Sequence, residues 1–583
     1  MARRVLITGL PVVVTFLWVQ AATAAGVWYV DQSATGTNAG TSWADAFVEL
    51  QSALAVAQAG DEIRVAAGTY KPDYDVDAGV HTGARWMSFA LVDGVGVYGA
   101  FPPGGGDGIF DARDPNNPDY ESILSGDLAG NDEPNFVNYD ENAYTVVYAE
   151  RVGSDALLDG FTVTGGNSNN VTTDPLATGG GMWSDTNASP SIVACRFVSN
   201  RAEIFGGGLT LYGGGTVINC AFAGNMARFG GGGVYKFSRY GQPTFVGCLF
   251  SGNTATEPSA RGGGMVIAGE GSSLITITFV DCVFSDNAAC GEYAMGGGLD
   301  LGENTAASLL RCRFSANHSF YGGGLSIFGR SPALELCVFE NNTATRGGGV
   351  ACLDWIQHGD PASNPMLKSC TFVGNYAVEY GGGWLASGAG LPILVNCTFT
   401  ENSADISGGG LGRTPDYYIF SSGHDTLASC ILWNDSIPEI YVAPGYPEPV
   451  ASFSDIQGGW PGEGNIDADP LFVVPPSGDL RLTYASPCKN AGDPAYPVTV
   501  GDQDAAGRQR VVYGRVDMGA YEYYCRGDLN GDGVVDFRDL MVLLSNYKTP
   551  NPVLFEDGDF DDDGDVDLAD LDDILSFYGD TCP

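Results

Sequence analysis

Positive charge is in short supply in this sequence. Its 583 residues include 27 Lys+Arg against 70 Asp+Glu, a formal net charge of -43. A field of that sign repels phosphate backbones, which argues against nucleic acid as a partner, and it favours cations, calcium included. Histidine is scarcer still: His81, His318, His358 and His424 are all there are. So few histidines argue against a histidine-rich metal site. After residue 19 no apolar run approaches the roughly 20 residues that span a bilayer. Glycine is abundant instead, at 84 residues, and the chain is too long for one compact core.

The first residues read as an export signal over 1–25. Arg3 and Arg4 form a basic start, 5–19 is an apolar run, and Ala22-Thr23-Ala24 offers small residues for cleavage. The chain is thus expected to be secreted or held at the cell surface. Fourteen cysteines in an exported chain would ordinarily suggest disulfides. Their spacing points elsewhere for most of them.

The pattern Cys-x-Phe-x-x-Asn recurs eight times, opening at Cys195, Cys220, Cys248, Cys282, Cys312, Cys337, Cys370 and Cys397, 25 to 34 residues apart. An apolar residue stands three before each Cys, from Ile192 to Leu394. A Gly-Gly-Gly triplet follows each unit, and another apolar residue comes next, from Leu209 to Leu411. Cys and Phe, two apart, share one face of a strand, and the freely varying residue between them faces out. The apolar residue at minus three is out of phase with Cys, so a bend lies between them. Asn suits the following corner, because it tolerates left-handed backbone. Its amide can also bond the Asn one layer away. The triplet allows positive φ or close backbone approach. Twenty-five residues fit one turn of a three-sided parallel β-helix, whose coils bury their inner faces only by stacking. The cysteines then form an internal ladder of free thiols.

On these units the chain resembles the repeats of polymorphic outer-membrane proteins and exported right-handed β-helix proteins with a pectin-lyase-like fold. Residues 27–72 are similar to the N-terminal part of the latter group, and 469–524 to its C-terminal end. The resemblance implies an all-β right-handed parallel β-helix. Within 27–72, residues 42–57 read as an amphipathic helix capped by Ser42, with Ala46, Phe47, Leu50, Leu54 and Ala57 on one face. A strand follows at 62–66, and the helix would cover the open end of the solenoid.

Residues 528–539 and 559–570 align position by position, 31 apart. Oxygen donors fall at positions one, three, five, nine and twelve: Asp528, Asn530, Asp532, Asp536 and Asp539, then Asp559, Asp561, Asp563, Asp567 and Asp570. Gly533 and Gly564 hold position six, where an EF-hand loop turns sharply, and Val534 and Asp565 offer the position-seven carbonyl. Each loop can supply the six to eight oxygens that calcium takes. Helical apolar spacing follows each loop, at Leu540, Leu543 and Leu544 and at Leu571, Ile574 and Leu575. Loop then helix, twice, with Asp at twelve, resembles a type I dockerin over 527–578. The resemblance implies two calcium ions and docking to a cohesin-like protein. The family's recognition positions, ten and eleven, are Phe537-Arg538 and Leu568-Ala569 here, not the Ser-Thr pair of its best-known members, so another partner stays open. Clustered carboxylates would repel without the ion, so folding of this module is expected to depend on calcium. Cys525 and Cys582 bracket it and are expected to pair.

The organisation expected is an export signal (1–25), an N-terminal cap with the first coils (26–175), repeat coils (176–430), final coils and cap (431–524) and a dockerin (525–583). No catalytic constellation emerges. Hydrolysis of a glycoside needs two carboxylates across the bond, and the repeats carry no Asp-Asp pair, Gly-His-Gly or Arg-x-Lys. His424, Asp300, Asp354 and Glu379 share no register. Trp183, Trp355, Tyr376 and Trp384 could stack on sugars, but read more simply as partly buried loop residues. The chain is therefore read as a secreted or surface rod that binds polysaccharide or protein, with a polysaccharide lyase or glycoside hydrolase as the alternative.

Overall fold

The computed structural model describes residues 25–105, 113–170, 177–237, 240–269, 274–328, 331–353, 363–414, 423–474, 479–497, 502–525, 527–530, 532–548, 558–559 and 565–579. The segment expected as an export signal lies almost wholly outside them. No helix among the described residues is long and apolar enough to cross a membrane.

The coil at 216–237 shows how the repeat folds. Thr216–Ile218 joins a first sheet, Ala221–Ala223 a second, Met226–Ala227 a third and Val234–Phe237 a fourth. Every strand pairs parallel with its counterparts one coil before and after, so that Phe222 aligns with Phe197 and Phe250. Repetition builds sheets of 14, 13, 9 and 12 strands among the described residues. The cross-section thus has four ladders rather than three sides. The additional one is the short third sheet, mostly two-residue strands between the Asn and the glycine triplet.

The inner column of phenylalanines from Phe197 to Phe399 stacks at ring distances of 4.3 to 5.1 Å, close to the interstrand spacing of about 4.8 Å. Beside it runs the cysteine column, buried and unbridged. Most of its thiols donate to the carbonyl of the minus-three residue of the preceding coil, Cys248 to Val217 at 3.4 Å and Cys337 to Leu309 at 3.5 Å. Burial pushes the thiols of Cys337, Cys370 and Cys397 well up, so they stay protonated and inert.

Two corners bracket each Cys-x-Phe strand. The residue before each Cys has positive φ, as in Asn219 (52°), Asp281 (54°) and Leu336 (58°). This is the expected bend. At the second corner the left-handed residue precedes the Asn, as in Ser199 (54°) and Glu401 (58°), and is not the Asn itself. The Asn turns its side chain inward instead. Its Nδ2 donates to the next Asn Oδ1, at 3.1 Å from Asn200 to Asn225 and 2.9 Å from Asn317 to Asn342. The eight-residue amide ladder ends at Asp435, whose Oδ1 accepts from Asn402 at 2.9 Å. The coils outrun the eight units on this side: Cys430, Leu432 and Asp435 form a ninth in which Phe and Asn are replaced. Behind each corner the glycine triplet lets coils touch. A Cβ on Gly207 would lie 2.3 Å from the Met226 carbonyl of the next coil.

The N-terminal helix is shorter than expected. Helix α1 spans Leu50–Val56, with Glu49 rather than Ser42 before it. Phe47 is extended: its N–H donates to the Tyr29 carbonyl at 2.9 Å and its carbonyl accepts from Asp31 at 2.8 Å. The 42–49 stretch is thus used on the outer edge of the strand Val27–Val30, and Ser42 closes a turn with Asp45. Helix α1 buries Leu50, Ala53 and Leu54 against the first strands. The expected strand is present as Glu62–Ala66. At the other end the chain leaves the coils after Asp455–Ile456 and folds back along the second sheet. There Gly519 N–H donates to the Ser429 carbonyl and Ala520 N–H to Thr398 Oγ1, both at 2.8 Å.

Candidate metal centre

Two helices follow the acidic loops: α2, Phe537–Asn546, and α3, Leu568–Ser576. Asp536 caps α2 by accepting from Arg538 N–H at 2.7 Å, and Asp539 returns the bond by accepting from Asp536 N–H at 2.8 Å. Asp567 and Asp570 repeat this on α3, at 2.7 and 2.8 Å. Positions nine and twelve of each loop are therefore also a reciprocal helix cap, a signal present in the Asp-x-x-Asp spacing that donor counting passes over.

The two halves interlock through two equivalent bonds. Lys548 N–H, after α2, donates to the Val566 carbonyl of the second loop at 2.9 Å. Gly579 N–H, after α3, donates to the Val535 carbonyl of the first loop at 2.8 Å. Both bonds join equivalent positions 31 residues apart. Val535 and Val566, at position eight, are fully buried with Leu543 and Ile574 in a small core of their own. Of the apolar faces expected, Leu540 and Leu571 are half-buried, while Leu544 and Leu575 are exposed.

Positions one and twelve of both loops, Asp528, Asp539, Asp559 and Asp570, are buried. The first loop wraps its own N–H groups around these oxygens. Asp528 accepts from Asp532 at 3.1 Å, Gly533 at 2.9 Å and the Tyr513 hydroxyl at 3.1 Å, and Asn530 Oδ1 accepts from Asp532 at 2.8 Å. Gly533 takes the sharp turn at φ 88°. Burial raises the Asp528 carboxyl above its ordinary range, the direction expected of a carboxylate facing other carboxylates. Asp532 is tied to Arg538 at 3.0 Å and to Val534 N–H at 3.1 Å. Among the described residues, no three carboxylates of the first loop bring oxygens within 4.8 Å of one another. Asp561, Asp563 and Gly564 of the second loop lie outside the described residues; Asp565 is exposed. The donor set is all oxygen, and its chemistry fits a hard cation. Cys525 is disulfide-bonded, and Cys582, its expected partner, lies outside the described residues.

The other residues singled out in the sequence do not assemble. Asp300 is buried against Arg261 at 2.6 Å, and Glu379 pairs with Arg346 at 2.5 Å. Beside His424, the buried Asp425 is held by Arg413 at 2.8 Å. Asp354 and Trp355 fall outside the described residues. Trp183, Tyr376 and Trp384 lie on strands rather than loops. Trp384 is buried in the core, and half-buried Trp183 stacks on Tyr148 at 4.9 Å. A buried acidic pair that the sequence did not disclose sits at the end of the amide ladder, where Asp435 N–H donates to Glu439 Oε1 at 3.1 Å.

A family model described as Right handed beta helix region matches residues 147–306. No curated protein matches the chain. Among solved structures the chain is similar to a crystal structure of pectate lyase Pel9A, with 13% identity, a TM-score of 0.36, and 86% of this chain and 97% of that one covered. It is also similar to a structure of XylC in complex with xylose, with 12% identity, a TM-score of 0.33, and coverage of 77% and 87%. Neither likeness decides a substrate for this chain.

Proposed function

We propose that the chain is an exported β-helix rod that binds polysaccharide or protein along its sides and docks through a C-terminal, calcium-dependent dockerin. The observation that carries the docking half is the reciprocal pairing of the two loop–helix units, Lys548 to Val566 and Gly579 to Val535. It gives the repeated acidic spacing a three-dimensional counterpart, which a solvated acidic tail would not have. In this reading one ion is held by Asp528, Asn530, Asp532, the Val534 carbonyl, Asp536 and Asp539. The second is held by Asp559, Asp561, Asp563, the Asp565 carbonyl, Asp567 and Asp570. Calcium supplies the positive charge that lets each set of carboxylates converge. Position ten of each unit stays available to a cohesin-like or other protein: Phe537 is 60% and Leu568 67% exposed.

The rod reading rests on the constancy of the inner columns against the variety of the outer ones. Arg196, Leu249 and Arg313 are exposed in one outward register, Tyr148 and Trp183 stack in register on the fourth sheet at 4.9 Å, and Tyr212, just past the next strand of that sheet, tilts against Trp183 at 5.7 Å. Such a row is a platform for sugar faces. The packing of helix α1 against the first strands supports its reading as a cover for the N-terminal end of the solenoid. The test is calcium titration of chelator-treated residues 26–583, wild type against Asp539→Ala with Asp570→Ala. The double variant is expected to bind two fewer ions and to lose hydrogen-exchange protection over 565–579. Equal stoichiometry in the two proteins would overturn the docking module.

A further inference from the structure

A second group of carboxylates lies far from the C-terminal loops in sequence. Segment 126–146 leaves the second sheet after Ser122–Ser125 and enters the fourth at Val147–Ala149, where later coils carry a third-sheet strand. Asp127, Asp132 and Glu141 of this segment, each half-buried, offer oxygens that all lie within 4.8 Å of one another. Asp127 is held by the N–H groups of Gly130 at 2.6 Å, Asn131 at 3.2 Å and Asp132 at 3.1 Å. Two other oxygens of the group, Asp132 Oδ1 and Glu141 Oε1, are sealed from solvent and accept no hydrogen bond.

Asn142 adds an independent observation. Its side chain is 0% exposed and ends at the group. Nδ2 donates to Asp132 Oδ2 at 2.8 Å and to the Gly165 carbonyl at 2.7 Å, two acceptors that fix which amide atom is the nitrogen. The remaining Oδ1 is a buried acceptor with no donor. An unpartnered buried acceptor costs about 1–3 kcal/mol, and more when charged, a cost that a positive occupant would remove from the Asp132 and Glu141 oxygens and from the Asn142 amide bonded to Asp132. The nearby ammonium of Lys71 favours the ionised form of Asp132, but its hydrogen bond goes to the Leu128 carbonyl at 3.0 Å and none reaches these oxygens.

We propose that Asp127, Asp132, Glu141 and the Asn142 amide oxygen hold a divalent cation, calcium, at a site separate from the C-terminal loops. The donors are all oxygen, with neither His nor Cys, which selects a hard cation over zinc or copper. Burial pushes the Asp132 carboxyl up to about 6, and a bound cation would reverse that by favouring the ionised form. The ion would pin the segment across the open edge of the third sheet. There the Ala143 carbonyl accepts from Asn167 N–H at 2.8 Å and the Tyr139 carbonyl from Asn167 Nδ2 at 2.7 Å.

Calcium stoichiometry of residues 26–583 tests this by calorimetry after chelation. Asp132→Asn with Glu141→Gln is expected to bind one ion fewer than wild type, and Asp539→Ala with Asp570→Ala to keep one. An unchanged stoichiometry in the first variant overturns the site, whatever the C-terminal loops do. Hydrogen exchange over 126–146 in the second variant covers the case in which the first does not fold. At calcium a hundredfold above its Kd, exchange there should slow by up to about a hundredfold. Equal exchange in calcium and in chelator would mean that water and a proton satisfy these oxygens, and would overturn the proposal.

Discussion

Asn317→Ala removes one rung from the middle of the amide ladder. Asn317 Oδ1 accepts from Asn287 N–H at 3.1 Å and Asn287 Nδ2 at 2.9 Å, and its Nδ2 donates to the Phe284 carbonyl at 2.8 Å and to Asn342 Oδ1 at 2.9 Å. Asn287 Nδ2 keeps a second acceptor in Phe250, and Asn342 Oδ1 keeps Asn317 N–H. The Asn287 N–H is left buried without its acceptor. Four bonds at about 1 kcal/mol each, one of them stranding a buried donor, amount to about 4 kcal/mol. A repeat array does not unfold as a clean two-state system, so the loss is best read locally. Hydrogen exchange at Asn287 should accelerate by about three orders of magnitude, with lower protection in the coils on either side. Wild-type exchange at Asn287 in a folded Asn317→Ala protein would refute the idea that the ladder stabilises the stack.

Burial, and then the charge of Glu439, raise the Asp435 carboxyl well above its ordinary range, and Glu439 is raised as well. A raised carboxyl favours the folded state fully below its unfolded value near 3.9, and that contribution is lost as pH rises through the folded value. Asp435→Asn places an amide where the ladder donates to the preceding coil. It should raise the melting temperature at pH 8 and leave it nearly unchanged at pH 4, as thermal melts at the two pH values will check. Phe284→Ala, between rings at 4.5 and 4.8 Å, should cost about 3–5 kcal/mol. Leu249→Ala, in an outward position 39% exposed, should cost less than about 0.5 kcal/mol, and denaturant midpoints will compare the two.

The solenoid was legible because its inner columns obey one-residue rules: Cys and Phe must fit a closed interior, and Asn must bond to Asn. The left-handed corner before each Asn was not. Ser199, Asp286, Ala316 and Glu401 hold it as readily as Gly224 does, so no residue type marks the position. The ninth coil was hidden because Leu432 and Asp435 keep the volume and the acceptor of Phe and Asn but not their names. Helix α1 starts later than apolar spacing suggests because Phe47 is an apolar residue at helical spacing whose backbone bonds go to a strand. The return of 488–524 along the second sheet depends on contacts more than 100 residues apart, such as Asn396 Nδ2 to the Asp517 carbonyl at 2.9 Å. The paired acidic loops stood out through their 31-residue repeat. The Asp127 group has no repeat to betray it and becomes visible only once burial isolates its oxygens.

Incubation of residues 26–583 with a panel of polysaccharides in calcium, followed for retention, new reducing ends and unsaturated products, addresses the binding-rod reading most directly. The account predicts retention on a member of the panel with no product released. Release of reducing ends or unsaturated products would contradict it and would mark the rod as a hydrolase or a lyase.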